Sequence, residues 1–260
     1  MIRQFVDRLS KVALAAALCT APVVSTHAAM DVLFDYAAPK EFSGSGSTMR
    51  YYFSGGAQDV GVSVSGWQAP SNYDTFRNRT HRIRTGDGIG LDVRESGDEN
   101  LIDNEGRMDL IVFEFDEMVS IDEVNLGEVG DDFDFTLLAF TGDGSPTLEN
   151  RQFGYEPSNS SKQMLNQGWE LAGHYGRNET SASVNEVGLV SSVWAIGAYT
   201  SVLTDSSRSY GLLGQGNDYF ALMSLAGERI VAAAVSEPPM LALMALLALM
   251  LLRRRRTQTV

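Results

Sequence analysis

The sequence predicts an all-β protein, an antiparallel β-sandwich of jelly-roll type, with an apolar helix at each end of the chain. Three observations lead there. Between about Ala29 and Ala234, apolar residues recur at every second position in several runs, the pattern of half-buried strands. Ser54-Gly55-Gly56, Gly86-Asp87-Gly88, Asn104-Glu105-Gly106, Gly142-Asp143-Gly144 and Gly216-Asn217-Asp218 break those runs with turn chemistry. Outside the two ends no long segment shows a 3.6-residue period, so a βαβ organisation lacks its helices.

Taken in order, the first element is a leader, residues 1–28. Arg3, Arg8 and Lys11 form a positive region ahead of the apolar stretch Val12 to Val24, and Thr26-His27-Ala28 offers small residues where a signal peptidase reads. This predicts a signal peptide cut after Ala28 and delivery through the Sec export machinery. A cut after Ala29 places His27 where a small side chain is preferred. The one cysteine, Cys19, lies within this leader behind the bulky Leu18, which does not suit a lipoprotein signal. The exported domain is therefore expected to rest on its core alone, which at about 200 residues buries roughly 70% of its surface.

The second element is the body, residues 29–234. Val60, Val62 and Val64 alternate with Gly61 and Ser63, and Phe113 and Phe115 flank Glu114 after Leu110-Ile111-Val112. Val119 and Ile121 continue one face before Val124 and Leu126 shift the phase, which predicts a bend or bulge. Phe133, Phe135 and Leu137 interleave with Asp134 and Thr136; Trp169, Leu171 and Tyr175 share one parity, and Trp194, Ile196 and Ala198 another.

Charge narrows the partners. The whole chain has 20 Lys+Arg against 33 Asp+Glu, a net of -13. Most cations sit at the ends, so residues 29–235 keep 13 basic and 31 acidic groups, a net of -18. Such a body repels phosphate backbones, and nucleic acid is not expected as a partner.

The third element is the tail, residues 235–260. Ser236 can cap a helix whose first turn tolerates Pro238 and Pro239, and Met240 to Leu252 runs without a polar residue to Arg253-Arg254-Arg255-Arg256. Those thirteen apolar residues rise only ~20 Å, short of the ~30 Å hydrocarbon layer, unless prolines and snorkelling arginine stems extend the helix. The arginines place the end of this short membrane helix on the cytoplasmic side, with the acidic body outside. A permanent single-pass anchor is one reading.

Ser236-Glu237-Pro238, the short apolar helix and the arginine cluster together closely resemble the PEP-CTERM sorting signal of Gram-negative exported proteins, with Ser236 where that family usually has proline. The resemblance spans about 22 residues. It implies that exosortase, a membrane-embedded, sortase-like transpeptidase, recognises the Glu237-Pro238 region, cleaves near it and discards the arginine end. It further implies a surface or matrix protein of a biofilm-forming bacterium, passing through the inner membrane to the cell surface or extracellular matrix. The body has a fainter likeness to exosortase-dependent surface proteins, in Asp103-Asn104-Glu105-Gly106, Phe113-Glu114-Phe115-Asp116, Gly130-Asp131-Asp132-Phe133-Asp134 and Val193-Trp194-Ala195-Ile196-Gly197-Ala198-Tyr199. That likeness implies a non-enzymatic surface domain and carries no catalytic residue with it.

Within the body, Asp131, Asp132 and Asp134, joined by Asp98, Glu99 and Asp103, are the candidate ligands for calcium, which takes six to eight oxygens. EF-hand spacing is absent, and a solvated acidic loop is the competing reading; no other cofactor is expected. His81 and His174, far apart and without a cysteine beyond the leader, do not make a zinc site. No Gly-x-Ser-x-Gly elbow appears, and Ser45 in Gly44-Ser45-Gly46 reads as loop. Paired acids for glycoside hydrolysis need only ~5 to 9 Å between them, and a chain this acidic satisfies that by abundance, which leaves a secreted hydrolase as the third function class. Arg77, Arg79, Arg82 and Arg84 make a basic patch, read either as neutralising neighbouring carboxylates or as meeting an anionic polysaccharide. Trp67, Trp169, Trp194, Tyr51, Tyr52 and Tyr73 stack on sugars if exposed and fill the core if not, so a carbohydrate-binding module for matrix polysaccharide is the second class. Asn78-Arg79-Thr80, Asn159-Ser160-Ser161 and Asn178-Glu179-Thr180 fit N-glycosylation patterns that short sequences also produce by chance.

Overall fold

The computed structural model describes residues 31–36, 41–45, 48–55, 58–71, 74–80, 83–85, 88–91, 101–153, 163–176, 179–203, 206–214 and 216–230. The protein is all-β across these residues, which contain no α-helix. The strands are β1 (Asp31–Asp35), β2 (Glu41–Ser45), β3 (Thr48–Gly55), β4 (Gln58–Ala69), β5 (Arg77–Asn78), β6 (Ile83–Thr85), β7 (Ile89–Leu91) and β8 (Ile102–Asp103). They continue with β9 (Met108–Val129), β10 (Phe135–Phe140), β11 (Trp169–Tyr175), β12 (Ser181–Ser183), β13 (Ser191–Ala198), β14 (Ser209–Tyr210) and β15 (Tyr219–Arg229). All join one hydrogen-bonded network, antiparallel except for the parallel pair β11/β14. Gly44 and Ser45, read from sequence as loop, close β2 instead, paired with Met49 and Thr48.

β9 organises the network. Its 22 residues would run about 70 Å if straight, against a radius of gyration of about 16 Å for a domain this size, so the strand has to bend. The first half lies between β4 and β13, and the second half pairs with β12 and β15. Two irregularities separate the halves. Ser191 pairs with Val119 and Val193 with Glu114, so Phe115 to Met118 lie opposite the single Ser192. Farther on, Glu123 faces Ala226 and Ile121 faces Gly227, leaving Asp122 as an extra residue. That bulge is the predicted phase shift: it lets Ile121 and Val124, three apart, both turn into the core. Gly227 is required opposite it, because a Cβ there would stand 1.9 Å from the Ser120 carbonyl oxygen.

The core has two parts. The larger draws Ile111, Phe113 and Phe115 from the first half of β9 together with Ile121, Val124 and Leu126 from the second. Phe34 of β1 meets Phe113 edge-on at 5.0 Å, and Phe220, Leu222 and Leu225 of β15 complete it. The smaller part covers the opposite face of the first half: Leu110 and Val112 with Leu138, Trp169, Leu171 and Ala195, under Phe76, Leu148, Phe153 and Met164 from the connections. With both faces covered, Leu110-Ile111-Val112 reads as an unbroken apolar run, as doubly buried strands do. Each fully buried side chain of this kind is worth about 1.5–3 kcal/mol.

Phe133, Phe135 and Leu137 share the larger core, as do Trp194, Ile196 and Ala198, in agreement with their parity. One expectation is overturned. Trp169 and Leu171 enter the smaller core while Tyr175 enters the larger one, because the pairing shifts from Gly173↔Leu137 to Leu171↔Leu138 and the skipped Ala172 switches the face. The described strands all belong to one compact unit, Ala28–Val231.

Candidate functional site

Ala28, Ala29, Ser236, Glu237, Pro238 and Arg253 to Arg256 lie outside the described residues, as do Cys19, Tyr73, His81, Arg82, Asp98 and Glu99. No helix among the described residues is long and apolar enough to cross a membrane, and the tail is not among them.

Within the domain, the predicted acidic turn is the most built-up polar site. It follows β9, where Gly130 donates its amide to the Tyr219 carbonyl and Tyr219 donates in turn to the Asp132 carbonyl at 2.9 Å. This tether holds the turn against the start of β15, so Asp132, Asp134 and Asp218 bring carboxylate oxygens within 4.8 Å of one another. Asp131 is exposed and does not belong to this group. Asp218 is the residue the sequence reading lacked, since it lies 84 positions from Asp134 and its turn, Gly216-Asn217-Asp218, carries no ligand spacing.

Hydrogen bonds explain why these acids are there. The Asp134 amide donates to Asp218 Oδ1 at 2.9 Å, and the Asp134 carbonyl accepts from Tyr199 at 3.0 Å. Asn104 donates through Nδ2 to Asp218 Oδ2 at 2.8 Å and to the Tyr199 carbonyl at 3.2 Å, while its Oδ1 accepts from the Asp218 amide at 2.9 Å. The Gly214 amide donates to Asp134 Oδ2. Asp132 comes so near Gly214 that a Cβ there would meet Asp132 Oδ2 at 2.0 Å. Four separate connections, those after β8, β9, β13 and β14, are thereby tied together. Burial, then the neighbouring Asp132 and Asp134, push the Asp218 carboxyl up to about 8. Near neutral pH it therefore keeps its proton, and the cluster carries one charge fewer than its composition suggests.

Asp132, Asp134 and Asp218 are the residues that could hold a hard cation. Both Asp218 oxygens and one Asp134 oxygen, however, already accept hydrogen bonds from amides. Calcium needs six to eight oxygens, so the donor set suits a loop-locking knot better than a cation cage. Asp103 belongs to a different pair. It accepts from the Glu105 amide at 3.0 Å and lies near Asp109, both fully buried. Burial, followed by Asp103, raises the Asp109 carboxyl well above its usual range, although Gln68 Nε2 donates to it at 2.9 Å.

The other candidates separate by burial. His174 donates from Nε2 to the Leu203 carbonyl at 2.7 Å, which leaves Nδ1 to accept from the Thr136 hydroxyl at 2.9 Å. It is a satisfied core histidine. Trp169 and Trp194 are buried, whereas Trp67 is half-buried beside the exposed Arg77. Comparison with family models, curated proteins and solved structures finds no match to the chain.

Proposed function

We propose that the chain is an exported, non-enzymatic surface or extracellular-matrix protein, whose β-sandwich domain is delivered by the leader and then processed by an exosortase at the tail. The observation that carries this reading is the order of parts at the end: Ser236-Glu237-Pro238, thirteen apolar residues and four arginines. A sandwich description is supported by the larger core, which takes residues from both halves of β9 and from β1 and β15. A scaffold role, in preference to a secreted hydrolase, is supported by the domain's buried acids, which are engaged in tying loops together or sealed away as in Asp103 and Asp109.

Mass spectrometry of the chain recovered from the surface fraction tests the proposal. A terminus near Ser236 to Pro239 is expected, and an intact Arg253 to Arg256 end in that fraction overturns it. Reporter fusions at both ends provide the topological control: before processing, the arginine end is inside the cell and the body outside.

A further inference from the structure

We infer that the cleft beside Trp67 is a binding site for an uncharged saccharide. The inference stands on the described strands and is independent of the tail. β4 and β5 pair Trp67 directly with Asn78, so the two side chains emerge on one face of the pair. The connection after β10 closes over this place. Phe76 donates its amide to the Arg151 carbonyl at 2.9 Å, and Arg151 donates to the Leu148 carbonyl at 2.9 Å, forming a turn with Asn150 at φ 62. Phe76, edge-on to Phe153 at 4.9 Å, floors the cleft, and Trp67, Thr75, Arg77, Asn78, Glu149 and Asn150 line it. Its volume is about 590 Å³, in the range of small-molecule sites.

The lining chooses the ligand class. The indole N–H of Trp67 donates to Ser65 Oγ at 2.9 Å, which fixes the ring; part of its apolar surface packs on the smaller core and the rest lines the cleft. A pyranose offers the matching C–H surface, and its hydroxyls, each both donor and acceptor, match the amide of Asn150 and the hydroxyl of Thr75, while Asn78 Oδ1 accepts the Thr80 amide at 3.1 Å and shapes the wall of the cleft. Among the described lining residues the charged ones are Arg77 and Glu149, which together favour neither sign of ion. A body with a net of -18 over residues 29–235 also repels polyanions, which argues against the anionic polysaccharide that the arginine patch suggested.

A glycan array probed with the purified full-length chain, held in a detergent without a sugar headgroup, tests this directly. Retention of at least one neutral oligosaccharide is expected, with titration calorimetry of that oligosaccharide giving the affinity. Trp67→Ala should weaken binding tenfold or more. Because Trp67 also touches the core, Asn150→Gly and Glu149→Gln serve as independent variants: both positions are exposed, and glycine accepts the turn's positive φ. Each should weaken binding severalfold at an unchanged melting temperature. Retention of acidic glycans only, no retention at millimolar oligosaccharide, or full affinity in all three variants overturns the inference. None of those results bears on where the tail is cut.

Discussion

Phe113 and Asp218 are each 1% exposed, yet opposite physics holds them in place. Phe113 sits between Phe34 and Phe115, where removal from water is the whole contribution and hydrogen ions are irrelevant. Asp218 is tolerated only because Asn104 and the Asp134 amide donate to it and because its proton stays on near neutral pH. Burial alone therefore says little about what a position does. The apolar seam supplies stability under all conditions, whereas the knot specifies which loops meet and makes their meeting depend on pH.

The largest expected effect comes from the seam. Phe113→Ala should cost about 3–5 kcal/mol in urea unfolding, with the same loss at pH 5 and pH 8. A pH-dependent loss would break the contrast between the two regions. In the knot, Asn104→Ala removes the partner of both the amide and the carboxyl of Asp218 and should cost about 2–3 kcal/mol. A loss below about 0.5 kcal/mol, the level of an ordinary surface change, would show that the knot does not lock the loops.

A third effect has a definite sign. Folding raises the Asp218 carboxyl from near 4 to about 8, so the folded chain binds the proton more tightly. That contribution is complete below pH 4 and is lost as pH rises through about 8, so stability should decline between those limits by about 1.4 kcal/mol for each tenfold in proton affinity that the fold confers. Asp109, raised in the same direction, adds to the slope. Asp132→Asn removes a like charge and should flatten the decline, which melting curves from pH 5 to pH 9 will read. The smallest effect is that of calcium. With Asp134 and Asp218 already accepting amide donors, millimolar calcium or EDTA should leave the melting temperature unchanged at pH 6. A rise of several degrees with calcium would make the knot a cation site.

The same comparison explains what could be read in advance. The alternation at Phe133, Phe135 and Leu137 revealed its face because each is an apolar residue flanked by a polar one along the chain. Asp134 and Thr136, interleaved with them, looked solvent-facing by the same rule, but both are buried because a second layer of loops covers that side. Tyr175 was assigned to the wrong face because a single skipped residue, Ala172, has no composition signal of its own. Asp131 and Asp132 looked alike in sequence, and only the tether from Tyr219 to Asp132 tells them apart. The Trp67 cleft was equally hidden, since its lining comes from β4, β5 and a turn about eighty residues later.

By itself the sequence determined the all-β class, the acidic character of the body and the phase shift near Val124, since each depends on neighbours along the chain and on local sterics or summed charge. The tertiary structure alone decided that β9 is shared between two sets of partners, that Asp218 joins Asp132 and Asp134, and that Trp67 is the tryptophan left at a surface cleft. Those outcomes turn on which distant segments share a face, and a bulge of one residue is enough to change that face.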